Sequence, residues 1–211
     1  MITDRKAVPA AGEGRVGPLL ETMEAALSAA ADGLVAVMVR EKDLAGAALL
    51  ALCSQLLPIC RSRGAALLVN DRVDVAAAVG ADGVHLPSAG LPPAEARSIL
   101  GERALIGVST HGVDDARRAA EGGADYVTFG PVFDTPSKRA YGAPVGTEDI
   151  GEAARITRPN RRRLRVYGLG GITSPDEARQ VRAAGADGIA CIRAVLAASD
   201  PAAAVRGLLD L

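Results

Sequence analysis

Four copies of one short joint, Ala-Asp followed by Gly or Tyr, constrain the fold of this chain more than any other feature. They occur at 31–33, 81–83, 124–126 and 186–188, and each closes a helical run and opens a run of apolar residues. A helix-to-strand joint that recurs along a chain is typical of a repeated strand–helix unit. We therefore predict an alternating α/β fold and favour a barrel over an open sheet.

Eight segments have the length and composition of strands, and helical patterns lie between them. The predicted strands are residues 1–4, 34–40, 65–70, 83–86, 104–108, 125–130, 164–169 and 187–192. Eight such units predict a (β/α)8 TIM barrel formed by a single domain over residues 1–211. The first strand has the weakest pattern, because only Ile2 and Thr3 favour a strand before a loop rich in Gly, Pro and Ala.

Charge and composition argue against several classes of partner. The chain has 24 basic and 25 acidic side chains, so its net charge of −1 gives no reason to expect nucleic acid or an anionic membrane. No uncharged apolar run reaches membrane length, and no signal-peptide pattern is found at the N-terminus. The three cysteines lie in apolar surroundings, as expected for buried reduced thiols. We expect a cytoplasmic protein that binds a small molecule and no nucleic acid or membrane.

Polar side chains follow the predicted strands at the ends where barrel enzymes bind their substrates. They are Arg40, Lys42, Asn70, Asp71, Ser109 and His111. The long segment 131–139 follows the sixth predicted strand and could act as a lid. Cations, an amide and hydroxyls at one end of a barrel suit an anionic substrate.

The pair Gly170-Gly171 follows the seventh predicted strand, and a helix is expected to begin near Arg193 after the eighth. Glycines let backbone N–H groups approach an anion, and a helix N-terminus adds a positive dipole. This arrangement predicts a phosphate site, with a tight turn at a helix start as the alternative. A phosphorylated small molecule is therefore the leading ligand class.

Seven motifs, in order and over nearly the whole chain, resemble the thiamine phosphate synthase and TenI superfamily. They lie at 40–44, 70–74, 80–86, 107–111, 130–133, 135–138 and 170–173. The resemblance implies that pyrimidine and diphosphate are bound by Arg40, Lys42, Asn70, Thr135, Ser137 and Lys138. It places Ser109 near the pyrimidine, and it places Gly171 with the start of the last helix on the thiazole phosphate.

Three departures from the synthase pattern bear on the branch of this superfamily. Gly90 stands where a second metal-binding carboxylate is usual, so Asp71 would be the single carboxylate left for Mg²⁺. Met38 replaces a usual glutamine, and Arg193 replaces a usual serine. The Leu-Pro-Ser sequence at 86–88 resembles the TenI branch, whose better understood members are thiazole tautomerases that need no metal.

We therefore expect a thiazole tautomerase without a cofactor, in which His111 is the catalytic acid and base. The expected phosphate contacts are Gly170, Gly171, Ile192 and Arg193. One alternative is thiamine phosphate synthase, with Mg²⁺ on Asp71. A second is a relative that binds thiazole or thiamine phosphate without turnover.

Two further features have a structural interpretation. His85 lies between apolar neighbours inside a predicted strand, so we expect a hydrogen-bonded residue of the wall and not a base. The basic segment 158–165 precedes the seventh strand, so we expect a solvated face, with a subunit contact of a homodimer as the second interpretation.

Overall fold

The computed structural model describes residues 1–9, 16–31, 33–135, 144–156 and 163–210. The strands within these ranges are β1 (Ala36–Val39), β2 (Ala66–Asn70), β3 (Gly83–Leu86), β4 (Leu105–Thr110), β5 (Tyr126–Phe129), β6 (Arg165–Leu169) and β7 (Gly188–Ala190). The helices are the 3₁₀-helix η1 (Arg5–Ala7) and the α-helices α1 (Val16–Leu27), α2 (Gly46–Ser62), α3 (Val73–Val79), α4 (Pro93–Leu100), α5 (Val113–Glu121), α6 (Ile150–Ala153), α7 (Pro175–Ala183), α8 (Arg193–Leu196) and α9 (Pro201–Leu209).

The protein has an α/β fold with parallel strands. The strand order is β1-β2-β3-β4-β5-β6-β7, and the pairs β1–β2, β4–β5, β5–β6 and β6–β7 are parallel. Parallel neighbours need crossover connections, which the helices between the strands supply. The chain forms two compact units, Met1–Val84 with Ile192–Asp210 and His85–Cys191.

The expected first strand at 1–4 is reduced to a single bridge in the first unit. Ile2 pairs with Met38 in parallel, and the N–H of Thr3 donates to the carbonyl of Met38 at 2.9 Å. The chain then turns at once, because the Asp4 carboxylate accepts from the N–H of Lys6 and caps η1. The described residues therefore contain seven named strands, and the bridge at Ile2 stands where an eighth strand was predicted.

The repeated Ala-Asp joint has a common structural cause. Asp82, Asp125 and Asp187 each precede a strand, and each carboxylate accepts a hydrogen bond from a backbone N–H near the start of the strand before it. The N–H groups belong to Leu67, Ile106 and Val166, at 2.7, 2.8 and 2.9 Å. Each aspartate N–H also donates to the carbonyl of the same residue. The joint thus fixes the start of two successive strands; Asp32 of the fourth copy lies outside the described residues.

Apolar side chains of the strands and helices form the core of each unit. In the first unit, Val37, Leu67, Leu19 and Met23 are fully buried. In the second unit the core includes Ile106, Val127, Phe129 and Val166. Burial of this kind is the main source of stability for such elements.

The three cysteines are free and buried, as predicted. Burial raises the pKa of Cys53 to about 11 and that of Cys60 to about 12. These thiols are therefore protonated at neutral pH. Among the described helices, none combines the length and the hydropathy that crossing a membrane requires.

Candidate functional site

A cleft of about 340 Å³ lies in the first unit, beyond the ends of β1 and β2. It is lined by Val39, Glu41, Lys42, Leu44, Leu49, Asn70, Asp71 and Arg72. Three of the predicted site residues, Lys42, Asn70 and Asp71, therefore line one cleft. Arg40 is half-buried at the end of β1 and is not among the lining residues; its backbone N–H donates to the hydroxyl of Thr3 at 2.9 Å.

The acidic residues on either side of Lys42 bind the N-terminal segment. Glu41 is buried and accepts from the backbone N–H and the Nη1 of Arg5, at 3.1 and 2.9 Å. Asp43 accepts from both Nη atoms of Arg5 and lies 2.7 Å from the Lys6 Nζ. These partners hold the pKa of Asp43 far below its usual value. Glu41 therefore forms a buried ion pair with Arg5 at this strand end.

Asp71 adopts a backbone conformation that few residues other than glycine adopt. Its φ is +67°, and the turn is closed by hydrogen bonds from Arg72 N–H to Asn70 O and from Val73 N–H to Asp71 O. Such conformations cost about 1–3 kcal/mol and cluster at functional sites. The turn leaves the Asp71 side chain exposed at the cleft, beside Asn70.

Arg72 does not pair with Asp71. Its Nε and Nη2 bind the two carboxylate oxygens of Asp74 at 2.8 and 2.6 Å. This bidentate pair lowers the pKa of Asp74 to about 2. Arg72 is thus engaged by Asp74, and its contact with Asp71 is a longer-range electrostatic attraction and not a salt bridge.

The expected second metal carboxylate is absent, and the local structure disfavours one. Gly90 closes a turn in which its N–H donates to Pro87 O at 3.0 Å. A Cβ added there would lie 2.7 Å from Pro87 Cγ and 2.8 Å from its Cδ. The described ranges contain no cluster of three or more acidic, histidine or cysteine side chains able to hold a metal ion. Asp71 and Asn70 still fit Mg²⁺, which is normally held by one or two carboxylates and completed by water and substrate phosphate oxygens.

His111 lies in the second unit, directly after β4. It is exposed, its Nδ1 lies 2.5 Å from the carbonyl oxygen of Gly130, and its backbone N–H donates to Asp115 Oδ2 at 3.0 Å. A carbonyl only accepts, so Nδ1 carries a proton and donates to Gly130 O, which leaves Nε2 as the ring nitrogen outside this hydrogen bond.

Ser109, also on β4, belongs to a polar network that sequence analysis missed. The Nε2 of His85 lies 2.9 Å from Ser109 Oγ and 3.3 Å from Thr128 Oγ1, and its Nδ1 lies 3.1 Å from the Tyr126 hydroxyl. His85 is thus hydrogen-bonded in the wall of the sheet, as predicted. Tyr126 and Thr128 alternate along β5 and so lie on one face, a period-2 signal that could have identified them.

The segment that follows β5 packs directly against the backbone of Gly170 and Gly171. The N–H groups of Val132 and Phe133 donate to the carbonyls of Leu169 and Gly170, at 2.9 and 3.0 Å. Both glycines have positive φ, +102° and +71°. A Cβ on Gly171 would lie 2.5 Å from Phe133 Cβ and 2.9 Å from the carbonyl oxygen of Asp134. Close backbone packing therefore accounts for this pair within the second unit, and the predicted phosphate contact stays a prediction.

The remaining predicted site residues are placed as follows. Thr135 is half-buried, whereas Ser137, Lys138 and the rest of the expected lid at 136–139 lie outside the described residues. In the first unit, the helix expected near Arg193 is only four residues long, with Ile192 as its half-buried N-cap and Arg193 exposed. So short a helix has a much weaker dipole than the sequence interpretation assumed.

Comparison with known proteins identifies the family. Residues 2–195 match the family model described as thiamine monophosphate synthase. A thiamine-phosphate synthase of Roseiflexus castenholzii is 44% identical over 211 residues, which is 100% of this chain and 86% of the relative. One of Moorella thermoacetica is 41% identical over 200 residues, 95% of this chain and 90% of the relative. The solved structure of a thiamine phosphate pyrophosphorylase from Pyrococcus furiosus superposes with a TM-score of 0.81 at 32% identity, covering 99% of this chain and 92% of that one.

These relatives contradict the expectation of a thiazole tautomerase. The catalytic role of His111 stays a prediction. Both sequence relatives are named as synthases, so the enzyme class that they support is a transferase and not an isomerase. The sequence interpretation gave too much weight to the missing carboxylate at Gly90, although one carboxylate is compatible with Mg²⁺ bound to a diphosphate. The chain belongs to the thiamine monophosphate synthase family.

Proposed function

We propose that this protein is a thiamine phosphate synthase. It joins an aminopyrimidine diphosphate to a thiazole phosphate and releases pyrophosphate. The thiazole nitrogen forms a bond to the methylene carbon of the pyrimidine as the bond from that carbon to the diphosphate oxygen breaks. The observation that carries the proposal is the cleft in which Asp71, Asn70 and Lys42 lie together, in a chain whose relatives are named as synthases.

The cleft of the first unit has the chemistry needed for a diphosphate leaving group. Lys42 supplies a cation at the cleft and Arg40 a second one nearby, and both would bind the diphosphate. Asp71 and Asn70 would hold Mg²⁺, which supplies positive charge that offsets the charge on the departing pyrophosphate. The ion pairs of Glu41 and Asp43 with Arg5 anchor the strand end that carries Lys42.

The other predicted contacts complete the proposal for the two substrates. Ser109 and Thr135 would bind the pyrimidine diphosphate with Ser137 and Lys138. Gly170, Gly171, Ile192 and Arg193 would bind the thiazole phosphate. We further propose a complete (β/α)8 barrel in a single domain, with the segment around Ile2 as its first strand. The cytoplasm as its compartment and a homodimer as its assembly also stay predictions.

A direct assay tests the function. The full chain is incubated with aminopyrimidine diphosphate, thiazole phosphate and Mg²⁺, and both thiamine phosphate and pyrophosphate are quantified. We expect equal amounts of the two products, and no reaction with EDTA or without the thiazole. Pyrophosphate release without thiamine phosphate would indicate a hydrolase. Binding of both substrates without either product would favour the non-catalytic alternative.

A further inference from the structure

A chain of hydrogen bonds in the second unit leads from a buried phenol to a hydroxyl that is only half-buried. Tyr126, His85 and Thr128 have relative exposures of 9%, 2% and 2%, whereas Ser109 is more accessible. The His85 and Tyr126 rings also stack, with centroids 5.5 Å apart. Ser109 is thus the member of this network that a ligand can reach.

The direction of the hydrogen bonds in this network follows from the protonation state of the Tyr126 hydroxyl. Burial raises the pKa of Tyr126 well above its usual value, so its hydroxyl is protonated. Among the described residues, the one hydrogen-bond acceptor within reach of that hydroxyl is His85 Nδ1, at 3.1 Å. A buried O–H without an acceptor costs about 1–3 kcal/mol, so Nδ1 accepts and the neutral ring carries its proton on Nε2.

The same reasoning sets the role of the serine. With Nε2–H as the donor, the nearer partner, Ser109 Oγ at 2.9 Å, accepts, and Thr128 Oγ1 at 3.3 Å shares the proton weakly. A hydroxyl that accepts from the protein has its own proton available for another acceptor. The opposite tautomer would make Ser109 donate to His85 and leave the Tyr126 proton without a partner among the described residues.

We propose that His85 is a positioning residue that holds Ser109 as a hydrogen-bond donor toward an acceptor atom of the aminopyrimidine ring. This inference rests on the proposed function, because it takes the aminopyrimidine diphosphate as the ligand. The Tyr126 hydroxyl fixes the tautomer of His85, and the Nε2–H of His85 then donates to Ser109. The Ser109 hydroxyl in turn donates to the substrate. The network therefore selects for a ring nitrogen and contributes nothing to binding of the diphosphate group.

Nitrogen-15 NMR of the histidine rings tests the tautomer without any substrate. The chain has two histidines, so a His111→Gln sample assigns the spectrum. We expect His85 to carry its proton on Nε2 at neutral pH, and to change this pattern in Tyr126→Phe. Tyr167→Phe is the matched control, because Tyr167 packs edge-on against Tyr126 outside the hydrogen-bonded network; it should leave the pattern unchanged. A proton on Nδ1 in the unmodified protein would overturn the proposal.

Calorimetry with two ligands tests the link to the substrate. Aminopyrimidine diphosphate should bind roughly ten-fold more weakly to Ser109→Ala, Tyr126→Phe and His85→Leu, the loss expected for one hydrogen bond. Inorganic pyrophosphate should bind equally well to all of them. His85→Gln, which keeps an N–H donor near the Nε2 position, should recover most of the loss. Because His85 acts through Ser109, the double variant His85→Leu/Ser109→Ala should bind no more weakly than Ser109→Ala.

The outcomes separate this inference from the proposed function. If the unmodified protein binds neither ligand, the proposed function fails. If the variants weaken both ligands alike, the network has a structural role and the positioning role is wrong. If His85→Leu does not fold, Tyr126→Phe still tests the positioning role, because this substitution removes one oxygen atom and keeps the ring. Equal binding of aminopyrimidine diphosphate by Tyr126→Phe and the unmodified protein would then contradict the proposal.

Discussion

Gly107 leaves the space that the ring of Tyr126 fills. The two residues are register partners on β4 and β5, and a Cβ on Gly107 would overlap the Cζ and the hydroxyl oxygen of Tyr126. A side chain at this position would push the phenol away from His85. The glycine is therefore a requirement of the buried network and not merely a small residue in a strand.

We predict that Gly107→Ala destabilises the protein by about 3 kcal/mol, the upper range for overpacking of a closely packed core. Chemical denaturation measures this change in the free energy of unfolding. Gly112→Ala is the control, because Gly112 has an extended φ of −173° and no atom within 4 Å of an added Cβ. It should cost less than about 1 kcal/mol, as a change at a helix N-cap. Equal losses in the two variants would show that the Tyr126 ring can move.

Alanine substitutions at a second pair of glycines separate the cost of backbone strain from the cost of steric overlap. Gly171 and Gly123 both have positive φ, +71° and +89°, but only at Gly171 would a Cβ meet other atoms, those of Phe133 and Asp134. Gly123→Ala should cost about 1–2 kcal/mol from strain alone. Gly171→Ala should cost about 2 kcal/mol more, because it also overpacks the segment after β5.

Hydrogen exchange locates the effect of Gly171→Ala. The amide of Phe133, which donates to Gly170 O, should exchange faster in this variant and be unaffected in Gly123→Ala. Similar exchange of this amide in both variants would mean that the segment 131–134 does not depend on Gly171.

The repeated joint allowed the alternation of strands and helices to be predicted from the sequence. An aspartate that precedes a strand and binds the N–H of the preceding strand leaves a fixed local pattern, as Asp125 with Ile106 shows. The first strand was predicted too long because its end depends on a side-chain cap at Asp4 and on ion pairs of Arg5 with Glu41 and Asp43, 36 and 38 residues away. Contacts at such separations leave no periodic signal.

The cleft residues Lys42, Asn70 and Asp71 could be predicted, because polar residues at parallel strand ends converge. Alternation along β5 places Tyr126 and Thr128 on one face, but their hydrogen bonds to His85 could not be predicted, because these depend on strand register and on the space left by Gly107. The class of reaction was predicted wrongly. A single missing carboxylate at Gly90 says little about a metal that a substrate can help to hold.

The N-terminus of α7 makes part of the stability pH-dependent. Glu177 forms a capping box with Ser174 and accepts from the backbone N–H groups of Thr173 and Ser174 at 2.6 and 2.9 Å. These bonds lower the pKa of Glu177, with the Thr173 backbone as the main cause. A lowered pKa in the folded state adds stability at pH values above the pKa of the unfolded state, about 4.3. This added stability is lost as the pH falls through the pKa of the folded state.

Glu177→Gln should therefore cost about 0.5–1 kcal/mol at pH 7, since the amide keeps only the neutral form of the capping box. The difference from the unmodified protein should shrink below about pH 5 and be lost as the pH falls through the lowered pKa of Glu177 in the folded state. Urea denaturation at a series of pH values measures it. Glu95→Gln, in the first turn of α4, is the control and should show a smaller change. A difference that grows toward low pH would contradict the assigned role of the carboxylate.

Asp71 offers the sharpest test of the proposed metal site. Its charge should strengthen binding of the diphosphate group when Mg²⁺ is present and weaken that binding when Mg²⁺ is absent. Asp71→Asn keeps the shape of the side chain and tolerates the positive φ, so the free energy of unfolding should stay within about 0.5 kcal/mol. At limiting Mg²⁺, kcat/KM should fall by at least about ten-fold, and half-saturation should move to higher Mg²⁺. Asp114→Asn, which changes an exposed aspartate of α5, should leave both values unchanged.

Asp71→Asn and the unmodified protein should bind inorganic pyrophosphate with different affinities, and the order of the two affinities should reverse when Mg²⁺ replaces EDTA. In EDTA the variant should bind at least as tightly as the unmodified protein, because the carboxylate beside Lys42 repels an anion. With Mg²⁺ the unmodified protein should bind more tightly, because its carboxylate helps to hold the cation that the pyrophosphate shares. Isothermal calorimetry under the two conditions measures both orders. A variant weaker by the same factor with and without Mg²⁺ would make Asp71 a structural residue of the turn after β2, and the metal would then have to be held without it.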